Sequence, residues 1–356
     1  MNILFLAKNL TFLGGVERFI TTLGNYWGEK NSVFIYSLYG SNEFAYELND
    51  KVRVILGKKD KKNKLNKYFE IYKDVEKIVK KNNIEIIIGE NIETSSLAAI
   101  IGKKNNIISI GYEHLSYKKE NLKGEILRSI FYKKLSYFVT ASNIEIENYL
   151  KYKCQTTFIP NPLSFSVEEK ANIDTDVILN IGRLDYVKGH DILIEAFKIV
   201  IEKYPKKILK IVGKDWGEKM KLMELLKKLD INKNVFLIEG SNKVSKYYQE
   251  ASMFILPSRE EGFSMVMLEA MEYGIPLIAS NTIGPLYLIK NKENGLLFEK
   301  GNITALAEKI ILLIEDKNLK RKIVQNGLLT AEKYSLENIT KIWNERISRF
   351  SKEIAQ

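Results

Sequence analysis

Short apolar stretches alternate with longer amphipathic ones along the whole sequence, and this alternation constrains the fold more than any other feature. In the first half, the strand-like stretches are 2–7, 32–38, 85–89, 106–110, 137–142 and 156–160, with helical patterns between most of them. Short buried strands separated by helices are typical of a parallel sheet covered on both faces. The first half therefore predicts a doubly wound α/β domain.

A second series of the same kind follows a polar, aperiodic segment at 161–176 that we interpret as a linker. Its predicted strands are 177–182, 207–213, 234–240, 253–258, 275–280 and 294–299. Its predicted helices are 190–203, 217–229, 243–251, 264–273 and 302–315, and helical patterns continue to 354. A chain of 356 residues fits two domains of ~150 residues each. We expect two Rossmann-like doubly wound domains that meet near residue 165, with ligands bound in a cleft between them at the carboxyl ends of the strands.

Charge and composition limit the kinds of binding partner and the cellular location that we expect. The net charge is +11, and residues 1–165 hold 25 Lys and Arg against 17 Asp and Glu. This excess of positive charge makes the first half the candidate for binding an anionic surface. The single Cys154 cannot form an internal disulfide, and no apolar run approaches the ~20 residues that span a bilayer. We expect a cytoplasmic protein, peripheral on a membrane at most, and no aromatic-basic motif or recognition helix suggests a nucleic-acid partner.

The stretch "IGRLDYVKGHD" at 181–191 combines the features of an anion site. Gly182 allows a tight turn after a predicted strand, and Arg183 and Lys188 lead to a helix that begins near Gly189. The spacing of the two cations suits a diphosphate. The alternative is an ordinary basic surface loop.

The stretch "REEGFSMVMLEAMEYG" at 259–274 predicts a helix over 264–273 that Gly274 ends. Backbone N–H groups from Gly262 to Met265 are free at such a helix start and can bind a phosphate or a sugar hydroxyl.

Two carboxylates in that stretch are candidates for sugar recognition. Glu261 stands in the loop, whereas Glu269 lies among apolar residues of the helix and is expected to be buried. A buried carboxylate needs hydrogen-bond donors, which the protein or two ribose hydroxyls can supply. The alternative is that Glu269 and Glu272 form a narrow solvated strip on the helix.

The first half also contains a loop that leads from a predicted strand into the start of a predicted helix. Gly14 and Gly15 follow the first predicted strand, but they do not form the G-x-G-x-x-G pattern of dinucleotide binding. His114 follows the strand at 106–110, where α/β folds place ligand groups, while His190 flanks a helix start. A turn-forming glycine pair and a structural histidine remain the alternatives.

Metal chemistry has little support in the sequence. Two histidines and one cysteine are scattered, and "DTD" at 174–176 precedes a strand, at the end opposite to the expected ligand site. We expect no metal site.

Two Lys-rich segments bear on membrane contact. The segment 117–138 carries aliphatic residues at helical spacing among six Lys and Arg, which suits an anionic membrane surface or a core-facing helix with a solvated basic face. The segment 57–69 can add to the attraction or form a solvated loop.

Taken together, these motifs resemble the bacterial GT-B glycosyltransferases of family GT4, a retaining group that builds capsular, lipopolysaccharide and exopolysaccharide sugars. The resemblance covers nearly the whole chain. It rests on Gly14-Gly15-Val16-Glu17, His114, "IPNP" at 159–162, "IGRL" and "KG" at 181–189, and E-x7-E from Glu261 to Glu269.

The resemblance implies roles on the donor side. Arg183 and Lys188 would hold the donor diphosphate, Glu261 would contact hydroxyls of the transferred sugar, and Glu269 would hold the nucleotide ribose. Backbone N–H groups would also face the sugar and phosphate at Gly262, Phe263 and Ser264. Family members need no metal and no other cofactor.

On the acceptor side, the resemblance implies that Gly14 and Gly15 face the diphosphate and the acceptor, that Glu17 lies beside them, and that His114 lies next to the reacting sugar. It also implies that the last helix, 338–356, returns to the first domain, which leaves 166–337 as the nucleotide-sugar domain.

The implied activity is a retaining, metal-independent transfer of a hexose or N-acetylhexosamine from a nucleotide sugar, UDP-linked in most of the family. The implied acceptor is a growing cell-surface glycan, such as a lipid-linked oligosaccharide. The alternatives are a nucleotide-dependent oxidoreductase or nucleotide-sugar epimerase on two Rossmann-like domains, and a non-catalytic partner of a second transferase.

Overall fold

The computed structural model describes residues 1–12, 14–39, 43–57, 64–114, 122–140, 142–240 and 244–355. The chain divides into two compact units. The N-terminal unit comprises Met1–Ser164 with Leu336–Gln356, and the C-terminal unit comprises Phe165–Ser335. No helix in the described residues is both long and apolar enough to cross a bilayer.

The N-terminal unit contains a seven-stranded sheet in which all neighbouring strands are parallel. Its strands are β1 (Asn2–Ala7), β2 (Ser32–Ser37), β3 (Val52–Leu56), β4 (Ile86–Gly89), β5 (Ile108–Glu113), β6 (Tyr137–Thr140) and β7 (Thr156–Phe158). The order β3-β2-β1-β4-β5-β6-β7 reverses between β1 and β4, which is the switch point of a doubly wound fold.

Among the described residues, five α-helices lie between these strands: α1 (Gly15–Gly28), α2 (Lys64–Lys81), α3 (Ile92–Asn105), α4 (Leu122–Phe131) and α5 (Ile146–Leu150). Asn91 starts α3 in a capping box, since its side chain accepts from the Thr94 amide and the Thr94 hydroxyl accepts from the Asn91 amide. Local capping of this kind fixes the chain just after β4.

The C-terminal unit repeats the architecture with six parallel strands. They are β8 (Val177–Ile181), β9 (Ile208–Val212), β10 (Val235–Ile238), β11 (Ala251–Leu256), β12 (Leu277–Ser280) and β13 (Leu296–Phe298), in the order β10-β9-β8-β11-β12-β13. The helices are α6 (His190–Lys203), α7 (Lys219–Lys228), α8 (Ser245–Gln249), α9 (Met265–Glu272), α10 (Ile283–Leu288), α11 (Ile303–Glu315) and α12 (Lys317–Lys333). The switch point lies between β8 and β11.

The last helix, α13 (Leu336–Ala355), belongs to the N-terminal unit. Its Trp343 is fully buried and packs edge-on against Trp27 of α1, with ring centroids 5.9 Å apart. Phe19 of α1 also contacts Trp343, at 6.2 Å between centroids. An aromatic cluster therefore attaches the C-terminal helix to the first helix of the chain.

The predicted α/β fold class is confirmed, and each strand predicted between 177 and 299 is present. The prediction missed β3, whose sequence "VRVIL" lies beside a Lys-rich segment. Within 57–69, residues 64–69 begin α2 rather than a solvated loop. Residues 58–63, 117–121, 141 and 243, which belong to predicted segments, lie outside the described residues.

The described part of the basic segment, 122–138, departs from one of its two alternatives, the core-facing helix with a solvated basic face. The helix α4 ends at Phe131, and Tyr137 already belongs to β6. Leu122, Ile126 and Ile130, which share one face of α4, are 77%, 50% and 45% exposed. The buried residues of α4 are Gly124 and Arg128, so the helix presents these aliphatic side chains outward and a guanidinium inward.

The buried Arg128 is satisfied mainly by the carboxylate of Glu113, with Glu125 as a second partner. Its Nε donates to Glu113 Oε1 at 3.1 Å, and its terminal nitrogens donate to Glu113 and Glu125. The hydroxyls of Tyr132 and Tyr149 donate to the same Glu113. Burial alone would lower the pKa of Arg128, but the hydrogen bonds and charge of Glu113 raise it above its ordinary value. Arg128 therefore keeps its charge inside the fold.

Replacement of Arg128 by Met should destabilise the N-terminal unit by about 3–5 kcal/mol, because the buried Glu113 carboxyl group would lose its cationic partner. Trp27 and Trp343 are buried in this unit, whereas Trp216 of the C-terminal unit is 51% exposed. Tryptophan fluorescence during urea denaturation therefore reports mainly on the N-terminal unit. The control Lys123→Met, at an exposed site on α4, should stay within about 0.5 kcal/mol. A loss below about 1 kcal/mol for Arg128→Met would contradict this account of the network.

Candidate donor site at the switch point of the C-terminal sheet

Two loops of the C-terminal unit start at the carboxyl ends of β8 and β11, the neighbouring strands at the switch point. In doubly wound folds this is where ligands bind. The loop after β8 spans 182–189, and the loop after β11 spans 257–264. They carry the cations and the first carboxylate that the sequence singled out.

The loop after β8 is shaped by a glycine and an aspartate. Gly189 adopts φ +67°, and a Cβ there would lie 2.2 Å from the carbonyl oxygen of Pro257, so the two loops approach too closely for a side chain. Asp185 caps the short 3₁₀ turn Tyr186–Lys188 by accepting from the Lys188 amide at 3.1 Å. This capping directs Lys188 toward the neighbouring loop.

Arg259 ties the same two loops together. Its guanidinium forms a bidentate pair with Asp191 of α6 and donates to the carbonyl oxygen of Tyr186 at 2.8 Å. It also stacks over the Tyr186 ring at 3.9 Å. Burial alone would raise the pKa of Asp191, but the hydrogen bonds and charge of Arg259 hold it below its ordinary value. Sequence reasoning gave Arg259 no role, because its partner lies 68 residues away.

Lys188 and Glu261 form the central ion pair of this site. Lys188 Nζ lies 2.7 Å from Glu261 Oε2, and both side chains are largely shielded, at 20% and 11% exposed. Ser258 Oγ donates to the same carboxylate oxygen at 3.3 Å. An ammonium and a carboxylate are thus fixed together where the two strands end.

Arg183 is the accessible cation of the loop. Its side chain is 44% exposed, and its terminal nitrogen lies 3.1 Å from Asp185 Oδ2. Asp185 therefore contacts both the Arg183 side chain and the Lys188 amide. These contacts hold together the short segment that carries the two predicted diphosphate ligands.

The start of α9 supplies backbone donors beside this ion pair. Within the described residues, the amides of Phe263, Ser264 and Met265 donate to no acceptor. Gly284 of α10 supports the segment, because its amide donates to the Glu261 carbonyl oxygen at 3.0 Å. A Cβ on Gly284 would meet the Gly262 carbonyl oxygen at 2.4 Å. A helix N-terminus with free N–H groups attracts anions.

Glu269 is buried, and the proposed solvated strip with Glu272 is wrong. Glu269 is 1% exposed, and the buried Tyr248 of α8 donates its hydroxyl to Glu269 Oε2 at 2.8 Å. Glu272 instead pairs with Lys170 at 3.0 Å. The buried carboxylate therefore has a protein donor that the sequence did not indicate.

His190 acts in the scaffold of the loop. It is 2% exposed at the first position of α6, and its Nε2 donates to the Arg183 carbonyl oxygen at 2.9 Å. Burial lowers the pKa of His190, so the ring is neutral near pH 7.

In the N-terminal unit, the glycine pair follows β1 at the switch point of that sheet. Gly14 is the N-cap of α1, and Gly15 is its exposed first residue. The Glu17 carboxylate folds back over Gly14, where a Cβ would lie 2.3 Å from its Oε2. A side chain at position 14 would displace that carboxylate.

His114 directly follows β5, which ends at Glu113 rather than at the predicted residue 110. Its side chain is 7% exposed, and Nε2 lies 2.8 Å from Oε2 of the fully buried Glu90. Phe19 of α1 and Tyr112 pack against the His114 ring at 4.9 and 4.2 Å. Burial raises the pKa of Glu90, and its bond to His114 opposes that rise. Glu90, at the end of β4, was missed because a lone acidic residue after a strand carries no distinctive signal.

The "DTD" segment offers no cluster of metal ligands. Asp176 pairs with Lys207 at 2.8 Å. Across the part of the chain that the structure describes, no group of three or more His, Cys, Asp and Glu side chains could hold a metal ion.

Comparisons with known proteins identify the family of the chain. Residues 165–329 match the family of glycosyl transferases group 1. An uncharacterized glycosyltransferase of Methanocaldococcus jannaschii is 30% identical over 94% of this chain and 97% of that protein. The GalNAc-alpha-(1->4)-GalNAc-alpha-(1->3)-diNAcBac-PP-undecaprenol alpha-1,4-N-acetyl-D-galactosaminyltransferase of Campylobacter jejuni is 25% identical over 98% of each chain.

A solved structure gives the same result for the fold. Anabaena HepE in complex with UDP superposes with a TM-score of 0.81 at 18% identity, over 98% of this chain and 100% of that one. The two parallel sheets, the family match across the C-terminal unit and the full-length similarity to a glycosyltransferase together establish that this chain belongs to the group 1, GT4-type glycosyl transferases of GT-B fold.

Proposed function

We propose that this protein is a retaining, metal-independent glycosyltransferase that moves a hexose or N-acetylhexosamine from a UDP-linked donor to a growing cell-surface glycan. The observation that carries the proposal is the arrangement at the switch point between β8 and β11. There, Lys188 pairs with Glu261, Arg183 lies on the same loop as Lys188, and α9 begins with free amides a few residues after Glu261.

The donor diphosphate is the anion that this arrangement fits. Arg183 offers a planar set of donors, Lys188 a point charge, and α9 its N-terminal amides, so three kinds of positive group are available to two phosphates. Negative charge grows on the leaving diphosphate in the transition state, and fixed donors that stabilise such charge often form the largest catalytic term. Two protein cations can supply the neutralisation that a metal ion supplies elsewhere.

The two carboxylates then recognise hydroxyl groups. Glu261 accepts from hydroxyls of the transferred sugar, while the ammonium group of Lys188 also interacts with the diphosphate. Glu269 holds the ribose, and the hydroxyl of Tyr248 fixes the orientation of that carboxylate.

Transfer with retention needs no covalent glycosyl-enzyme. The bond between the anomeric carbon and the diphosphate oxygen breaks while the acceptor oxygen bonds to the anomeric carbon from the same face. The acceptor proton passes to the departing phosphate oxygen, so that UDP and the extended glycan leave. Gly15, Glu17 and His114 of the N-terminal unit are the proposed acceptor-side residues.

A lipid-linked oligosaccharide is the proposed acceptor, at the cytoplasmic face of the membrane. The name of the Campylobacter jejuni relative, which gives an undecaprenyl-pyrophosphate-linked glycan, supports this choice. The outward face of α4 supports it independently. Leu122, Ile126 and Ile130 form an exposed aliphatic stripe, and Lys123 and Lys151 are 69% and 53% exposed on or beside α4. Aliphatic insertion with flanking cations suits an anionic lipid surface.

Replacement of Lys188 by Met should lower kcat/KM by about 10²–10³-fold, because one fixed donor to the leaving group is lost. The assay measures release of UDP from a panel of sugar nucleotides, with and without lipid-linked acceptors, in EDTA. Lys198→Met, at a partly exposed site on α6, serves as the matched control and should retain wild-type rates. Wild-type rates for Lys188→Met would refute the donor-site assignment. Release of UDP that never depends on an acceptor would refute glycosyl transfer.

Replacement of Leu122 and Ile126 by Glu should reduce binding to anionic vesicles at least tenfold, since burial of a Leu or Ile side chain contributes about 1.5–3 kcal/mol. Sedimentation with phosphatidylglycerol–phosphatidylcholine vesicles measures the partition coefficient. Leu329→Glu changes a side chain that is 58% exposed on α12 of the C-terminal unit and should change binding less than twofold. Equal binding of the α4 variant and the wild type would exclude this helix as the membrane contact.

A further inference from the structure

An exposed tryptophan lies against the accessible cation of the proposed donor site. Trp216 follows β9, is 51% exposed, and places its ring 4.4 Å from the Arg183 guanidinium carbon. Neither the sequence motifs nor the family match gave Trp216 a role.

Backbone hydrogen bonds fix the position of Trp216. The pairing of β8 with β9 continues beyond both strands, with the Gly182 amide donating to Val212 and the Leu184 amide to Lys214. The Trp216 amide then donates to the Leu184 carbonyl oxygen at 3.1 Å. Trp216 is therefore held on the residue next to Arg183 by the main chain rather than by packing of its ring.

Two further features hold this loop in place. A Cβ on Gly213 would lie 1.9 Å from the Gly182 carbonyl oxygen, so the loops after β8 and β9 are in direct backbone contact. Asp215 accepts from the amides of Gly217 and Lys219 at 2.9 and 3.2 Å, and Gly217 turns the chain with φ +98°. The tryptophan thus lies on a rigid turn.

The chemistry of the contact suits an arginine that must stay available to phosphate. Tryptophan is the best aromatic partner of a guanidinium, and it is neutral, so it restrains Arg183 without cancelling its charge. Asp185 contacts the same guanidinium at 3.1 Å. A side chain that is already immobilised loses less conformational entropy when it binds a ligand.

We propose that Trp216 is a positioning residue of the donor site, which holds the Arg183 guanidinium in the orientation that binds the diphosphate. The inference rests on the proposed function. In this account, Trp216 affects phosphate binding by orienting Arg183 and does not stack on the nucleobase.

The test is calorimetric titration of the full-length protein with UDP, UMP and inorganic pyrophosphate. Trp216→Ala and Trp216→Leu should weaken UDP and pyrophosphate five- to tenfold, while Trp216→Phe stays within threefold of the wild type. Phe236→Ala removes another exposed ring of the same unit, 44% exposed on β10, and should leave all three affinities unchanged. Unchanged thermal unfolding midpoints would establish that the variants are folded.

A double-mutant cycle identifies the route of the effect. In an Arg183→Ala background, Trp216→Ala should cause no further loss of pyrophosphate affinity, because the residue acts only through the missing guanidinium. Losses that multiply in the double variant would overturn the inference. So would a Trp216→Ala protein that loses UMP and UDP equally but keeps pyrophosphate, since that pattern belongs to a base-stacking ring. A wild-type protein that binds neither UDP nor pyrophosphate would refute the proposed function itself.

Discussion

The ion pair between Lys188 and Glu261 is the interaction on which the proposed donor site depends. The two side chains come from loops after β8 and β11, which only the reversal of strand order makes neighbours. The approach of Gly189 to Pro257 brings the loops within reach, and Arg259 ties them together. Lys188 and Glu261 pair with each other in this structure. In the proposed mechanism, Lys188 binds a phosphate and Glu261 accepts from a sugar hydroxyl when the donor binds. The geometry of the two loops and the proposed ligand chemistry therefore both depend on the switch point of the sheet.

The two units deal with buried charge in different ways. In the N-terminal unit, Arg128 and Glu113 satisfy each other far from solvent, and the cost of their burial is offset by two tyrosine hydroxyls. In the C-terminal unit, the charges at the strand ends stay partly accessible, with Arg183 at 44% exposed. A buried network such as that of Arg128 and Glu113 makes the fold rigid. Accessible charges such as that of Arg183 can still bind a ligand. The outward aliphatic face of α4 follows from the first arrangement, since the guanidinium occupies the inner face of that helix.

Much of the fold could be predicted from the sequence because a parallel sheet needs continuous apolar strands, and these are visible as runs such as 253–258. The same logic predicted that Arg183, Lys188 and Glu261 lie at strand ends on one edge of a sheet. The strand β3 escaped because a charged Arg53 interrupts its pattern. Contacts such as Tyr248 with Glu269 or Trp216 with Arg183 escaped because they join elements distant in sequence, and no local spacing encodes them. The buried Arg128 was unpredictable for the same reason, since its main partner, Glu113, comes from β5.

The most direct test of the central claim is a crystal structure of the protein with UDP bound. Phosphate oxygens should lie within about 3.2 Å of Arg183, Lys188 and the amides of Ser264 or Met265, with ribose hydroxyls donating to Glu269. A UDP molecule whose phosphates contact none of these groups, while the Lys188–Glu261 pair stays closed, would contradict the account.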